Sequence, residues 1–324
     1  MNGVHPRPGK TPPWDPEPTW GDHAVLLRLE LDGAELARYV DGTGSPGFDS
    51  PRPHLHPVRT RAGVTVTDAA PPDHTWHVGA GIGVQDVDGS NIWGGRTYLP
   101  DQGYTWRPDH GRMTHREWLR RTPASVSHRL DWTDADGAVQ VEEIRDLAWA
   151  QVDEDAWRLD LGFALRPGAG RSVVRLGSPG SNGRQAAGYG GLFWRVASCR
   201  EIDVRTPLGR GEHAVHGTRP ADGARWLAWS AVTTNPVTGA SGGFTLVVIP
   251  RDADTARDPW FVRVADYPGI GSALAWDAAL AVREAAPVRR AFTWVIADGR
   301  WSDDRVAAAV RDATDDLSGG PTDD

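Results

Sequence analysis

Residues 73–77, which read Asp-His-Thr-Trp-His, hold the side chains best suited to chemistry. Histidine is the side chain most easily used for proton transfer or metal binding near neutral pH. His74 and His77 are spaced to share one metal ion, with Asp73 as a third ligand or an orienting group. Proton transfer or substrate binding is a second interpretation, and two ordinary loop histidines are the third. Residues 78–83 follow directly and are rich in glycine.

Three more histidines precede or follow this segment. His54 and His56 lie between Pro53 and Pro57, which favour an extended backbone that would point both rings the same way. His110 lies in a predicted turn. This clustering in the sequence favours a site, although neighbours in sequence need not be neighbours in space.

Residues 139–149 are predicted to form a strand with one unusual face. Strict alternation puts Glu143 and Arg145 on the same side as Val141 and Leu147. Burying a charge on an apolar face costs free energy unless the charge is paired or serves a function. One interpretation is a pair that lines a sugar-sized pocket. The alternative is a β-bulge near Glu142 that returns Glu143 to solvent.

Two later segments offer polar and aromatic groups to a hydroxylated ligand. Residues 178–184 and 189–195 contain them, and residues 266–276 have the same character. The candidates with amide, guanidinium, phenol or indole groups are Asn182, Arg184, Tyr189 and Trp194. The alternative is a long structured loop with an Asn-Gly turn.

The elements that must position these residues are mostly strands. Short apolar segments alternate with turn residues, which is typical of an all-β protein. Alternation predicts strands at residues 24–30, 126–132, 157–165, 243–249, 260–264 and 290–297. A helix is predicted after Ser302, with Asp303 and Asp304 in its first turn. We expect one large antiparallel β-sandwich domain over residues 23–317, a flexible arm over residues 1–22 and a disordered tail over residues 318–324.

Composition excludes several classes of function. The net charge of −8 and the absence of a basic run argue against nucleic acid as a partner. The sequence contains no run of 18 apolar residues, so no membrane span is predicted. Cys199 is the single cysteine, so no intrachain disulfide forms, and no secretory signal is recognised; a cytoplasmic protein is expected. Sixteen tryptophans suit sugar faces as well as a β core. Dinucleotide, P-loop and G-x-S-x-G signatures are absent.

Residues 50–58, 72–77 and 91–95 resemble a bacterial family of unknown function that carries the label "methane oxygenase PmoA-like". Residues 182–184 and 189–195 extend the resemblance, which spans roughly residues 25–300. It implies a fold similar to galactose mutarotase, a large twisted β-sandwich with a concave sugar-binding face, and a role in carbohydrate metabolism. The label itself is not taken literally, because a chain without an apolar span is unlike the membrane subunit of that name.

The leading hypothesis is an enzyme that acts on a sugar, keto-sugar or glycoside by acid/base chemistry, as an isomerase or epimerase, a lyase or a hydrolase. The predicted catalytic groups are His74, His77 and Glu143. The predicted substrate-binding groups are Trp76, Arg145, Asn182, Arg184, Tyr189, Trp194 and His110. A divalent metal, if one binds, is assigned to His74 and His77. The alternatives are a non-catalytic carbohydrate-binding sandwich and a metal-dependent oxygenase with two histidines and one carboxylate. The expected partner is a small-molecule carbohydrate, and self-association into a homo-oligomer is left open.

Overall fold

The computed structural model describes residues 21–235 and 239–318, and strands dominate this part of the chain. The predicted N-terminal arm lies outside the described residues except for Gly21 and Asp22. The predicted tail lies outside them except for Ser318. No helix within the described ranges is long and apolar enough to cross a membrane.

Ten strands form the first sheet, and every pairing in it is antiparallel. Its main path runs in the order β1 (Val25–Leu31), β2 (Ala34–Val40), β3 (His54–Val58), β4 (Ala80–Val87), β13 (Gly191–Arg195), β19 (Gly269–Ala273) and β18 (Trp260–Arg263). Three strands branch from β4, namely β5 (Ser90–Ile92), β12 (Val173–Gly177) and, through β12, β20 (Leu280–Arg283). The path brings strands from distant parts of the sequence side by side.

Nine antiparallel strands form the second sheet. Their order is β15 (Gly209–Arg210), β14 (Cys199–Thr206), β16 (Leu227–Thr234), β17 (Ser241–Pro250), β21 (Val288–Asp298), β11 (Ala156–Pro167), β10 (Val139–Gln151), β9 (Ser125–Thr133) and β8 (Arg112–Arg121). A separate hairpin pairs β6 (Thr97–Leu99) with β7 (Gly103–Thr105). The α-helices of the described residues are α1 (Glu212–Val215) and α2 (Asp303–Ser318).

The core lies between the two sheets. On β13, Leu192 and Trp194 point inward, and the Trp194 ring lies 4.4 Å from the ring of Trp294 on β21 of the facing sheet. One cluster of buried apolar side chains contains residues of both sheets. The predicted antiparallel β-sandwich is therefore confirmed.

The helix predicted at the C-terminus is also confirmed. Ser302 accepts a hydrogen bond at its Oγ from the backbone N–H of Arg305, at 3.3 Å, as an N-cap does. Val306 and Ala309 pack on the outer face of the second sheet beside Trp301. The short helix α1 was not predicted, because its four residues are too few to show an apolar period.

Candidate functional site

The outer face of the first sheet is lined with glycine where a usual strand would carry side chains. On β4, Ile82 and Val84 point into the core, so Gly81 and Gly83 face outward. A Cβ atom at Gly83 would stand 3.2 Å from the ring of Trp93. A Cβ atom at Gly269 on β19 would stand 3.0 Å from the ring of Phe193. The glycines let aromatic rings lie directly on the sheet.

These rings form a cluster of their own, separate from the core, which we call the aromatic face. Its buried members are Trp93, Phe193 and Phe261, and its half-buried members are Trp76, Tyr189, Tyr267 and Trp276. Its half-buried rings join apolar surface to polar tips, which is the combination that suits a sugar ring.

A buried arginine fixes the loops that carry two of these rings. Arg52 donates from Nη1 to the carbonyl of Trp93 (2.9 Å) and from Nη2 to the carbonyl of Trp76 (2.8 Å). Burial lowers the pKa of Arg52 to about 10, so the guanidinium stays charged at neutral pH. Asn91 completes the turn by accepting from the backbone N–H groups of Trp93 and Gly94.

Asp73 and His74 form a hydrogen-bonded pair at the edge of the aromatic face. The Nδ1 atom of His74 donates to Oδ2 of Asp73 at 2.8 Å. The rings of Trp76 and Tyr267 lie 5.3 Å and 5.0 Å from the His74 ring, measured between centroids. Burial alone would raise the pKa of Asp73, but the hydrogen bond from His74 and the electrostatic influence of His74 and Arg195 lower it. Asp73 is therefore a carboxylate at neutral pH and orients the imidazole.

His77 lies beneath His74 and is neutral. The two rings stack with centroids 4.6 Å apart, and His77 is 2% exposed. Burial, followed by the electrostatic influence of His74, Arg195 and Arg52, lowers the pKa of His77 well below its usual value. Because Arg195 Nη1 approaches Nδ1 of His77 at 3.4 Å, His77 acts as a hydrogen-bond acceptor there.

Arg195 is the cation at the centre of the site. It projects from β13 on the same side as Phe193, and its guanidinium lies 5.0 Å from the ring centroid of Tyr267. Its Nη2 atom is 3.9 Å from Oδ1 of Asp73. Its Nε atom is buried and has no hydrogen-bond partner. Burial lowers the pKa of Arg195, and the nearby carboxylates of Asp73 and Asp68 oppose that shift.

The stacked histidines do not form the predicted metal centre. Two imidazoles that share an ion must both direct in-plane lone pairs at one point about 2.0–2.1 Å away. The ring planes of His74 and His77 are only 15° apart, so they do not meet at a common ion. Within the described part of the chain, no group of three or more His, Cys, Asp or Glu side chains is placed to hold a metal ion.

Four predicted binding residues lie around this centre in supporting positions. The Tyr189 hydroxyl accepts from Gln85 (2.7 Å) and lies 3.0 Å from the hydroxyl of Tyr104. Arg184 donates to the same Tyr104 hydroxyl at 2.8 Å.

The other two support loops rather than the polar centre. His110 lies 2.6 Å, through Nε2, from the carbonyl of Gly95, against which the ring of Trp76 packs. Asn182 donates to Asp86 at 3.0 Å and fixes its own loop. Both residues therefore stabilise the surroundings of the aromatic face.

Glu143 and Arg145 lie elsewhere, which corrects the prediction that they act with the histidines. Both are fully buried on the inner face of the second sheet, whereas His74 and His77 lie on the outer side of the first. Arg145 contacts both carboxylate oxygens of Glu143, at 2.6 Å and 2.8 Å. The register shift on β10 falls between Val139 and Val141, before Glu142, so the face of Glu143 does not change.

The predicted substrate-binding role of Trp194 also requires correction. It is fully buried, packs against Trp294, and donates from Nε1 to the carbonyl of Val66. Both faces of the ring belong to the core, so Trp194 presents no surface to a sugar. The alternation on β13 explains this, because Phe193 and Arg195 take the outward positions.

The prediction missed Arg195, Tyr267 and Asp68 as site residues. Arg195 and Tyr267 lie in segments that the sequence marks as binding loops, but nothing local singles out these two side chains. The signal available was alternation: with Trp194 in the core, Arg195 must face outward. Asp68 follows from the pairing of Thr67 with Val196, which the sequence does not reveal.

Fold and site together define an antiparallel β-sandwich with a histidine-bearing aromatic site on the outer face of one sheet. A family model described as "Family of unknown function (DUF6807)" matches residues 27–311. The chain belongs to this family. No curated protein matches the chain.

Among solved structures, the chain is similar to a GalM/aldose epimerase homologue from C. elegans. The two are 8% identical, and the match covers 82% of this chain and 96% of that one, with a TM-score of 0.29. A likeness at this TM-score carries no argument about activity.

Proposed function

We propose that the protein is a carbohydrate-active enzyme that binds a hydroxylated ring on the aromatic face and transfers a proton through His74. The observation that supports this most is the Asp73–His74 hydrogen bond beside Arg195 and two half-buried rings, Trp76 and Tyr267. Imidazole, carboxylate, guanidinium and aromatic groups thus share one surface.

The chemistry follows from the hydrogen bonds. Because Nδ1 of His74 donates a hydrogen bond to Asp73, the lone pair of the ring in its neutral form lies on Nε2. The carboxylate stabilises the imidazolium that forms when Nε2 takes a proton. Anomeric and keto-sugar reactions need such a base, which then returns the proton as an acid.

The other groups of the site bind the sugar or hold neighbouring side chains in position. Arg195 is 4% exposed, so we assign it to holding Asp73 in place beside the ligand, whereas Trp76 and Tyr267 offer ring surface. His77 is neutral and buried, so we assign it to positioning Arg195 rather than to proton transfer. The predicted catalytic role of His77 is replaced by this proposal.

The test compares His74→Gln with His213→Gln, an exposed histidine that serves as a matched control. The protein is incubated with a panel of sugars and 3-keto-glycosides in deuterated buffer, and NMR follows anomer exchange, deuterium incorporation and cleavage. We expect turnover to fall by at least about 100-fold in His74→Gln, since positioned acid/base groups contribute about that much. His213→Gln should match the wild type. Full turnover in folded His74→Gln protein would refute the role of His74.

A second candidate function is carbohydrate binding without catalysis. The half-buried rings of the aromatic face favour it, since Trp76, Tyr189, Tyr267 and Trp276 all keep exposed surface. Saturable sugar binding with no turnover on the panel would favour this function over the enzyme.

The PmoA-like label and an oxygenase activity stay predictions. An oxygenase would need two histidines and a carboxylate arranged around open metal positions. The near-parallel rings of His74 and His77 do not support that arrangement. Metal analysis of the purified protein, with His74→Gln as the comparison, tests it directly.

A further inference from the structure

A large cleft opens beside the site. Its volume is about 1170 Å³, and it runs between the loop after β3, the segment at residues 197–200 and the ends of β16, β17 and β21. Pockets that hold a single drug-sized ligand measure about 300–1000 Å³. The cleft therefore has room for more than one sugar ring.

The wall of the cleft is chemically suited to neutral polyols. Hydroxyl and carboxamide side chains line it, and those that keep exposed surface are Thr65, Ser198, Thr234, Asn235 and Ser241. Hydroxyl groups both donate and accept hydrogen bonds, as a sugar does. Tryptophan, tyrosine and phenylalanine are absent from the described residues that line it, so a ligand there is held by hydrogen bonds rather than by stacking.

The charges of the wall disfavour an anionic ligand. Two carboxylates, Asp68 and Asp298, face one guanidinium, Arg200, which leaves a net charge of −1. Burial, followed by the charge of Arg59, lowers the pKa of His56 to about 4, so this ring adds no positive charge at neutral pH. Burial raises the pKa of the Cys199 thiol to about 11, so it adds no negative charge. A sugar phosphate is therefore a poorer fit than a neutral sugar.

Asp68 joins the cleft to the site. Thr67 pairs with Val196, and the backbone N–H of Asp68 donates to the carbonyl of Arg195 at 3.0 Å, which places both side chains on the outer face. Asp68 lines the cleft. Burial raises the pKa of Asp68, the charge of Arg195 lowers it, and the charge of Asp73 raises it. The half-buried carboxylate therefore stands between the polar centre and the cleft.

We propose that the cleft is a second subsite, so that the ligand is a neutral glycoside of at least two rings. One ring lies on the aromatic face at His74 and Trp76, and the next enters the cleft past Asp68. This inference rests on the proposed function, because it assigns the first ring to the site described above.

The test measures binding of matched ligand pairs by isothermal titration calorimetry. The pairs are methyl β-D-glucopyranoside with cellobiose, methyl α-D-glucopyranoside with maltose, and methyl β-D-galactopyranoside with lactose. We expect the disaccharide of at least one pair to bind about tenfold more tightly, as two added neutral hydrogen bonds would give.

Two variants block or weaken the subsite without changing His74, Asp73, Trp76 or Arg195. Ser198→Trp fills the cleft from an exposed position, and Thr234→Val removes a hydroxyl that contacts Arg200 and Ser241. Thr114→Trp, at an exposed position of β8, is the control for added bulk. Ser198→Trp should bring the affinity ratio close to one and leave monosaccharide affinity unchanged, and Thr234→Val should lower the ratio. Thr114→Trp should keep the wild-type ratio.

The outcomes separate the two proposals. Monosaccharide binding without a disaccharide advantage overturns the subsite and leaves the proposed function standing. A tenfold advantage that persists in both Ser198→Trp and Thr234→Val also overturns the subsite. No binding of any pair contradicts the proposed function and the subsite together.

Discussion

The pair formed by Glu143 and Arg145 shows how a buried charge is stabilised. Glu143 accepts from Trp132 Nε1 at 2.7 Å as well as from Arg145, and Arg145 also donates to the Tyr39 hydroxyl at 2.9 Å. Every oxygen of the carboxylate thus has a donor. Full hydrogen bonding is what makes a charge tolerable in a core.

Removing one partner of this pair should destabilise the fold. We expect Glu143→Gln to lower the free energy of unfolding by about 3–5 kcal/mol, because it leaves the Arg145 charge buried without a counter-ion. Urea unfolding measures the change, and Glu154→Gln, at an exposed position, is the control. A loss of less than about 1 kcal/mol, as for an exposed pair, would contradict this account of the pair.

At the scale of residues, the sequence predicts only what adjacency and alternation determine. Asp73 and His74 are neighbours, so their hydrogen bond is a natural expectation. Alternation correctly places Glu143 and Arg145 on one buried face. It does not show that this face points into the core of the sandwich, since the contact between Arg145 and Tyr39 joins residues 106 positions apart.

At the scale of elements, glycines in the strands of the first sheet leave room for the side chains of the site. On β4 and β19, apolar side chains fill the core, and glycines on the other side admit aromatic rings. Glycine at alternate positions weakens a strand, so β4 is not among the predicted strands. Packing of rings against the outer face compensates for the missing side chains.

A side chain at one of these glycines should disturb the site. Gly83→Val adds atoms where Arg52 Nε and the ring of Trp93 already lie 3.2 Å from the Cβ position. We expect a loss of about 1–3 kcal/mol of stability through overpacking, with weaker sugar binding because Trp93 must move.

The control is Gly162→Ala on β11, where the nearest atom to a new Cβ is 3.8 Å away. We expect this change to be neutral or to stabilise by about 0.5 kcal/mol, since a strand glycine carries an entropic cost. Thermal or urea unfolding compares the two variants. Equal stabilities of Gly83→Val and Gly162→Ala would contradict the tight packing of the aromatic face.

Element bounds were predictable where the apolar alternation is unbroken. The strand predicted at residues 157–165 is observed as Ala156–Pro167, and that at residues 243–249 as Ser241–Pro250. These strands have one face in the core, so the period of two persists along their length. The order of strands in a sheet has no such local signal.

At the scale of the whole molecule, buried histidines couple stability to pH. Burial lowers the pKa of His54 to about 3, of His56 to about 4 and of His128 to about 2. These rings are neutral in the folded protein, whereas the unfolded chain protonates them near pH 6.5. The unfolded state therefore binds more protons as the pH falls below that value, so acid destabilises the fold.

The free energy of unfolding should fall steadily between about pH 6.5 and pH 5, by up to about 1.4 kcal/mol per pH unit for each such histidine. His128→Gln should reduce this slope by about that amount, and His213→Gln, at an exposed position, should leave it unchanged. Urea titrations across this range measure the slope. A stability independent of pH would contradict the neutral, buried state of these rings.

The arrangement of the whole molecule is the part that the sequence could not provide. The path from β3 through β4 and β13 to β19 brings His77, Arg195 and Tyr267 together, although they span residues 77–267. Long-range antiparallel pairing is decided by packing between sheets, not by local pattern. The all-β class followed from the sequence, and the position of the site followed from the pairing.

The most direct test of the central claim is a crystal structure of the protein soaked with cellobiose, maltose and lactose in turn. We predict density for a sugar ring against Trp76 and Tyr267, within hydrogen-bond distance of His74. Sugar bound only elsewhere on the molecule, or crystals without bound sugar at saturating concentration, would contradict the assignment of the aromatic face as the functional site.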